Sequence, residues 1–173
     1  SKIGTPFLRG QTGWPYMKEF TAYLARCSYL LERGQSVSDV LWYLGDEISH
    51  KPDQEYPFPA GYKYDYCNPD VLMNRLSVKD GLVVTPEGLS YKFIWIPENK
   101  RMLPETLERL RSLIEQGATV VANAPQRIAT LVGGEETQAR FDEIVKAIWG
   151  NAADGSITTL GKGRLLSGVT LEK

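Results

Sequence analysis

Hydrophobic residues along this chain form two patterns, short continuous runs and stripes with helical spacing. Three runs, at residues 39–44, 92–96 and 118–122, are mostly apolar and end at glycine, proline or asparagine. Such runs are typical of parallel strands that are buried on both faces. Between and after them, residues 104–116 and 141–149 carry apolar side chains at steps of three and four, which predicts helices. Strands that alternate with helices indicate an open, mostly parallel α/β sheet.

The first 34 residues predict a separate helical element. Trp14-Pro15 opens a stripe of apolar and aromatic residues at helical spacing, and Gly34 supplies the stop. We expect a helix over residues 15–33 that packs outside the sheet as an appendage. Smaller predicted elements are a helix at 69–76, a hairpin over 78–89 and a hairpin or bent strand over 157–166.

Residues 62–68, immediately before a predicted helix start, bring together three tyrosines, an aspartate and an asparagine. In an extended run its three tyrosines share one face, and the aspartate lies on the other. Asn68 followed by Pro69 predicts an N-cap and a first helical position. Aromatic faces stack on sugar C–H groups, while carboxylate and amide oxygens accept hydroxyl hydrogens. A tyrosine-rich loop that packs on the core is the alternative. The candidate sugar-binding residues here are Tyr64, Asp65 and Asn68, with Tyr62 and Tyr66 as neighbours.

A second candidate position lies at the carboxyl edge of the predicted sheet, where α/β domains bind ligands. Asp46 and Glu47 follow the first strand. Adjacent residues point in different directions, whereas glycosidase carboxylates face each other across about 5 to 10 Å. We therefore expect at most one of the two to face a ligand, and Glu47 is the candidate. Lys92 and Lys162 are expected to be solvated rather than catalytic.

The composition of the chain argues against several classes of function. With 42% hydrophobic and 24% charged residues, a formal net charge of −1 and no basic run, the chain predicts a globular domain without nucleic-acid or membrane partners. His50 is the only histidine, and Cys27 and Cys67 lack CxxC spacing. These residues predict neither a zinc site nor a disulfide framework. Since phosphate-binding glycine motifs are also missing, we expect no metal and no cofactor in this chain.

Several segments, in one order and at plausible spacing, resemble the glycoside hydrolase family 106 α-L-rhamnosidases. The resemblance covers nearly the whole chain but only a middle slice of such an enzyme. The segments include Trp14-Pro15-Tyr16, Tyr43-Leu44-Gly45-Asp46-Glu47, Pro59-Ala60-Gly61-Tyr62, Arg75-Leu76-Ser77-Val78-Lys79-Asp80-Gly81 and Gly161-Lys162-Gly163-Arg164.

The resemblance implies an enzyme with a (β/α)8 barrel that uses two glutamates and a calcium ion to hydrolyse terminal rhamnose with inversion. Residues 1–34 would end that barrel, and residues 35–173 would form the next domain, similar to class I glutamine amidotransferase-like domains. Both catalytic glutamates would lie upstream, so no catalytic residue is assigned here, and calcium would belong to the full enzyme. Amidotransferase chemistry is expected to be absent, because Ile96-Pro97-Glu98 stands where the nucleophile elbow would be.

Three functions remain open from the sequence. The first is a non-catalytic accessory domain of a rhamnosidase, which lends Glu47, Tyr64, Asp65 or Asn68 to a rhamnose-containing glycan and has the rest of the parent glycosidase as its partner. The second is a structural or oligomerisation module of a multidomain glycosidase. The third is a flavodoxin-like domain that binds a small molecule. The residues assign no compartment, and the resemblance leaves a periplasmic or secreted parent enzyme open.

Overall fold

The computed structural model describes residues 37–46, 63–97, 101–128, 133–150 and 157–167. Within these ranges the chain forms ten strands and three helices. The strands are β1 (Val37–Tyr43), β2 (Tyr64–Cys67), β3 (Ser77–Lys79), β4 (Leu82–Val84), β5 (Ser90–Ile96), β6 (Arg101–Met102), β7 (Thr119–Ala122), β8 (Arg127–Ile128), β9 (Ile157–Leu160) and β10 (Gly163–Leu166). The helices are α1 (Pro69–Asn74), α2 (Pro104–Gln116) and α3 (Gly134–Trp149).

The main sheet is mostly parallel, as predicted. Its path runs β2-β1-β5-β7-β10-β9; the first five strands are mutually parallel, and β9 pairs with β10 in the antiparallel sense. Counting only the parallel strands in chain order gives the order 2-1-3-4-5, which is the flavodoxin-like order. The hairpin β3–β4 joins the sheet through an antiparallel pairing of β4 with β5, and β6 and β8 form a separate parallel pair.

The three predicted central strands are confirmed, with ends that differ from the predicted ones by at most two residues. The strands β1, β5 and β7 are buried on both faces, which accounts for their continuous apolar runs. One face packs against all three helices; its side chains include Leu41, Tyr43, Ile94, Ile96 and Val120. The opposite face carries Val40, Trp42, Phe93, Trp95 and Val121, which are also buried.

The predicted helices and hairpins are also present. Helix α1 begins at Pro69, and α2 begins at Pro104 and ends at Gly117, whose φ of 126° lies in the region that glycine favours. The appendage predicted over residues 15–33 and the division at residue 34 lie outside the described residues.

Lys92 does not have the solvated position that the sequence predicted. Its Nζ lies 2.6 Å from Asp39 Oδ1, and the two side chains are only 12% and 14% exposed. Asp39 Oδ2 also accepts a hydrogen bond of 2.9 Å from the Lys63 backbone N–H, so this carboxylate links β1 to the chain that enters β2. The prediction was wrong because Asp39, the partner of Lys92, is 53 positions away in the sequence (92 − 39) but lies beside it in the register of the neighbouring strand.

Arg109 connects the first two helices. From the middle of α2, its Nε donates to Leu72 O at 2.9 Å, and its Nη2 donates to Leu76 O at 2.5 Å. These carbonyls belong to the last turn of α1 and the residues after it, where helical carbonyls have no partner in the helix itself. Arg109 therefore caps the carboxyl end of α1 from a position on α2, and the sequence of α1 itself does not contain this cap.

The turn between β9 and β10 lies directly against the end of α2. Lys162 N–H donates to Glu115 O, and Arg164 N–H donates to Ala118 O, both at 3.1 Å. A Cβ atom on Gly163 would overlap the carbonyl oxygens of Ile114 and Ala118. Glycine at this position is therefore required by close approach of two backbones, not by an unusual φ.

We expect Gly163→Ala to lower the free energy of unfolding by roughly 3 kcal/mol, the upper end of overpacking costs, because backbone oxygens cannot move aside like flexible side chains. Urea denaturation monitored by circular dichroism measures the change. Gly88→Ala is the matched control, since Gly88 has a φ of 86° and no neighbour within 4 Å of a built Cβ. That control should cost about 1 kcal/mol for backbone strain alone, and an equal cost at both positions would contradict the close-approach argument.

Candidate functional site

The tyrosine segment forms the edge strand β2. It pairs in parallel with β1, with Tyr64 opposite Val40 and Tyr66 opposite Trp42. Since strand residues alternate between faces, the two tyrosines share one face, as predicted, and the register shows that this face also carries Trp42. They are 40% and 36% exposed, which makes them two of the large hydrophobic residues most exposed in the described part of the chain. Tyr62 lies outside the described residues.

Four rings form a continuous cluster on this face, which we call the aromatic surface: Trp42, Trp95, Tyr64 and Tyr66. Ring centroids of Trp42 lie 4.9 Å from Trp95, 5.2 Å from Tyr66 and 5.7 Å from Tyr64. The two tyrosine rings are 5.5 Å apart at an interplanar angle of 79°. These tilted and edge-to-face arrangements are favourable for aromatic pairs. The buried tryptophans therefore hold two half-exposed tyrosine rings in fixed orientations at the edge of the sheet.

Asp65 lies on the other face of β2, beside Leu41 in the register. Its Oδ2 accepts a hydrogen bond of 2.7 Å from the Tyr91 hydroxyl. Burial raises the pKa of Tyr91, and the hydrogen bond and negative charge of Asp65 raise it further, so Tyr91 remains the donor. Asp65 is exposed, and within the described ranges its Oδ1 has no hydrogen-bond partner. Asp65 therefore holds Tyr91 through one of its two carboxylate oxygens.

Asn68 is the N-cap of α1, as the sequence predicted. Its backbone is extended, and its Oδ1 accepts from Val71 N–H at 3.0 Å. Pro69 follows as the first helical residue, with Asp70 in the first turn. One acceptor position of the Asn68 side-chain carbonyl is therefore used by the cap, and its second lone pair and its NH₂ group are not used by this bond.

Asp46 occupies the carboxyl end of β1, next to the point where the strand order reverses. Its Oδ1 accepts from the hydroxyl groups of Tyr43 and Thr106, the latter at 2.7 Å, and its Oδ2 accepts from Leu103 N–H at 2.8 Å. Leu103 is the N-cap residue of α2 and supplies no side-chain cap. The carboxylate therefore caps a helix that begins almost 60 residues later, where a negative charge is favoured by the helix dipole.

Tyr43 and Thr106 are the residues at this edge that the sequence interpretation missed. Both are buried, and burial, together with the hydrogen bond to Asp46, raises the pKa of Tyr43. A sequence signal did exist: Leu103-Pro104 starts a helix without a serine, threonine, aspartate or asparagine at the N-cap. Such a start indicates a capping group elsewhere in the chain, although it does not identify that group.

The predicted sugar-binding residues do not converge on one surface. Tyr64 and Asp65 lie on opposite faces of β2, and Asn68 lies beyond its end. Glu47 is outside the described residues, so its position relative to the other three is not defined. The contribution of each to a sugar site stays a prediction.

The described ranges contain no group of three or more His, Cys, Asp or Glu side chains arranged to hold a metal ion. Cys67 is fully buried, and burial raises the pKa of its thiol to about 12. The thiol is therefore protonated and not nucleophilic at neutral pH. In the same ranges, no helix is long and apolar enough to span a membrane.

Comparison with known proteins gives consistent matches. The model of the glycoside hydrolase family 106, described as alpha-L-rhamnosidase, matches residues 1–173. A rhamnosidase structure from Novosphingobium sp. PP1Y is 28% identical and superimposes with a TM-score of 0.65, covering 95% of this chain and 16% of that one. A Formosa agariphila protein provisionally named beta-glucuronidase is 32% identical over 151 residues, which is 85% of this chain and 13% of that protein. The chain thus spans about a sixth or less of the length of these relatives.

We expect Asp46→Asn to lower the free energy of unfolding by about 1–3 kcal/mol, because the new amide N–H₂ would face either the Leu103 N–H or two hydroxyl donors. Thermal and urea denaturation measure the loss. Asp142→Asn is the matched control, since Asp142 is exposed on α3 and accepts only from Gln138 in the described part; it should change stability by less than about 0.5 kcal/mol. Equal effects would show that Asp46 is not a cap.

The raised pKa of Cys67 gives a pH dependence with a defined sign. Because the folded thiol titrates at about 12 rather than 9.0, the folded state holds its proton more tightly than the unfolded state. This contribution to stability is present below pH 9 and is lost as the pH rises from 9 towards 12. We expect the free energy of unfolding to fall more steeply between pH 8.5 and 10 in the native protein than in Cys67→Ala. Parallel slopes in urea denaturation series would contradict this.

Proposed function

We propose that this chain, which belongs to glycoside hydrolase family 106, the α-L-rhamnosidases, is a non-catalytic α/β domain of a larger enzyme that hydrolyses terminal rhamnose. In this proposal residues 1–34 end the catalytic barrel, and residues 35–173 form the following amidotransferase-like domain. The relative lengths support the proposal, because the rhamnosidase and the glucuronidase-named protein are each at least six times longer than the region they share with this chain.

The observation that carries the non-catalytic assignment is the state of Asp46. Inverting hydrolysis needs an acid and a base on opposite sides of the scissile bond. Asp46 stands at the sheet edge where a ligand would bind, but three donors already occupy its two oxygens. Asp65 lies on a different strand and accepts from Tyr91. These two carboxylates therefore do not form an opposed pair.

The aromatic surface supports a contact with the glycan. Its half-exposed tyrosine rings present apolar faces of the kind that stack on sugar C–H groups. Asp65 lies on the opposite face of β2, and its second carboxylate oxygen, which has no hydrogen-bond partner among the described residues, can accept a hydroxyl hydrogen. We propose Tyr64 and Asp65 as positioning residues, with Glu47 and Asn68 as further contacts. Rhamnose-containing glycan and the rest of the parent glycosidase are the proposed partners.

The calcium ion that the family resemblance implies does not fit the described residues. Calcium takes six to eight oxygen ligands, whereas these ranges contain no suitable cluster of acidic side chains. The roles proposed above for Tyr64, Asp65 and Asn68 therefore use no calcium, and in this proposal the ion belongs to the full enzyme.

A structural or oligomerisation module is the second candidate. It is favoured by the internal bonds of the predicted site, since Asn68 caps α1 and Asp65 holds Tyr91. The two candidates differ in whether substitutions at the aromatic surface alter substrate affinity.

Steady-state kinetics of the full-length enzyme on an aryl rhamnoside and a rhamnosyl oligosaccharide would test the proposal. We expect Tyr64→Ala to raise KM for the oligosaccharide roughly fivefold, which corresponds to loss of about 1 kcal/mol of stacking, with kcat unchanged. Tyr64→Phe keeps the ring and should change KM less, and Asp65→Asn should raise it severalfold. Asp142→Asn controls for loss of surface charge.

Unchanged kinetics for all three variants would favour the structural module. The 173-residue chain alone should release no aryl alcohol, because a single domain of this kind provides no acid and base across the bond. Turnover by the purified chain that Glu47→Gln abolishes would refute the non-catalytic assignment.

A further inference from the structure

Two arginines lie side by side beyond the carboxyl edge of the main sheet. The short strand β6 follows β5, and β8 follows β7, so this parallel pair extends from the loops of two neighbouring central strands. In its register Arg101 is opposite Arg127, and Met102 is opposite Ile128. Met102 is buried and Ile128 packs on the core, whereas both arginines are exposed. Paired residues of parallel strands share a face, so the two arginines extend from the same side.

Arg127 differs from other exposed arginines in the described part of the chain because it has no acidic partner there. Adjacent strands lie about 4.8 Å apart, and like charges directly opposite each other destabilise a sheet. Among the described residues, no carboxylate lies within ion-pair distance of Arg127, whereas Arg75, Arg111 and Arg140 each have an acidic partner. Arg101 has a further interaction of its own, so Arg127 supplies most of the available donors.

A guanidinium group is well suited to anions with two acceptor oxygens. Its planar fork of N–H donors matches a carboxylate or a sulfate ester with two parallel hydrogen bonds. The position is the edge at which open α/β sheets bind ligands, next to the switch in strand order.

We infer that Arg127, which lies opposite Arg101 in the register, binds the anionic substituent of an acidic sugar in the glycan, either a uronate carboxylate or a sulfate ester. This inference rests on the proposed function for the sugar part of the ligand, while the anion site itself follows from the arginine pair.

Isothermal titration calorimetry with the purified 173-residue protein tests the inference. The ligands are a rhamnosyl-glucuronate disaccharide, its carboxyl-reduced neutral analogue and a sulfated rhamnoside. We expect an acidic ligand to bind at least tenfold more tightly than the neutral one at low salt. Arg127→Gln should remove that difference, and Arg127→Lys should restore only part of it, because an ammonium group cannot form the bidentate pair.

Arg111→Gln is the matched control, because Arg111 is exposed on α2 and pairs with Glu115; it should leave the preference for the acidic ligand intact. Preference for the sulfated rhamnoside over the uronate would assign the site to sulfate esters. Equal binding of acidic and neutral ligands, or a preference that survives Arg127→Gln with an unchanged circular dichroism spectrum, would overturn the inference. Inorganic sulfate that binds as tightly as either acidic sugar would overturn the sugar assignment.

Failure of the proposed function would give a different experimental result from failure of this inference. In that case Tyr64→Ala would leave full-enzyme kinetics unchanged, whereas the dependence of anion binding on Arg127 would persist in the calorimetric titration.

Discussion

The arrangement of the domain depends on the hydrogen bonds that the Asp46 carboxylate accepts. A helix begins with four backbone N–H groups that lack partners, and α2 starts at Leu103-Pro104 without a capping side chain of its own. Asp46 fills that role from the end of β1 and adds bonds to Tyr43 and Thr106. Helix α2 is in turn the element against which the others are placed. Arg109 links it to α1, Arg140 links it to α3 through Glu108, and its last turn accepts the β9–β10 hairpin.

At the carboxyl edge of the sheet, Asp46 has a structural role as a helix cap. In many open α/β sheets the side chains next to the switch point contact a ligand, but here Asp46 caps a helix. A capping carboxylate that gave up its donors to a substrate would leave buried hydroxyl and N–H groups unpaired, at a cost of about 1–3 kcal/mol for each group. Acid–base chemistry by Asp46 would therefore disturb the start of α2.

The two faces of the sheet carry different sets of side chains. One face carries the aliphatic core beneath all three helices, and Trp149 fixes the end of α3 by donating to Ala122 O at 3.0 Å. The opposite face carries Trp42 and Trp95, whose rings continue outward to the half-exposed tyrosines of β2. Because the tryptophans are buried, the tyrosine rings that pack on them have little freedom of orientation.

The sequence by itself determined the features that are encoded within a few neighbouring residues. Apolar runs identified β1, β5 and β7, Asn68-Pro69 identified the start of α1, and alternation placed Tyr64 and Asp65 on opposite faces; matching segments also identified the family. Only the tertiary structure decided which distant groups meet: β2 beside β1, Lys92 with Asp39, Arg101 beside Arg127, and Asp46 at the start of α2. The physical reason is that backbone preference and periodicity act locally, whereas the partners of a charge or of an uncapped helix end are set by strand order and register.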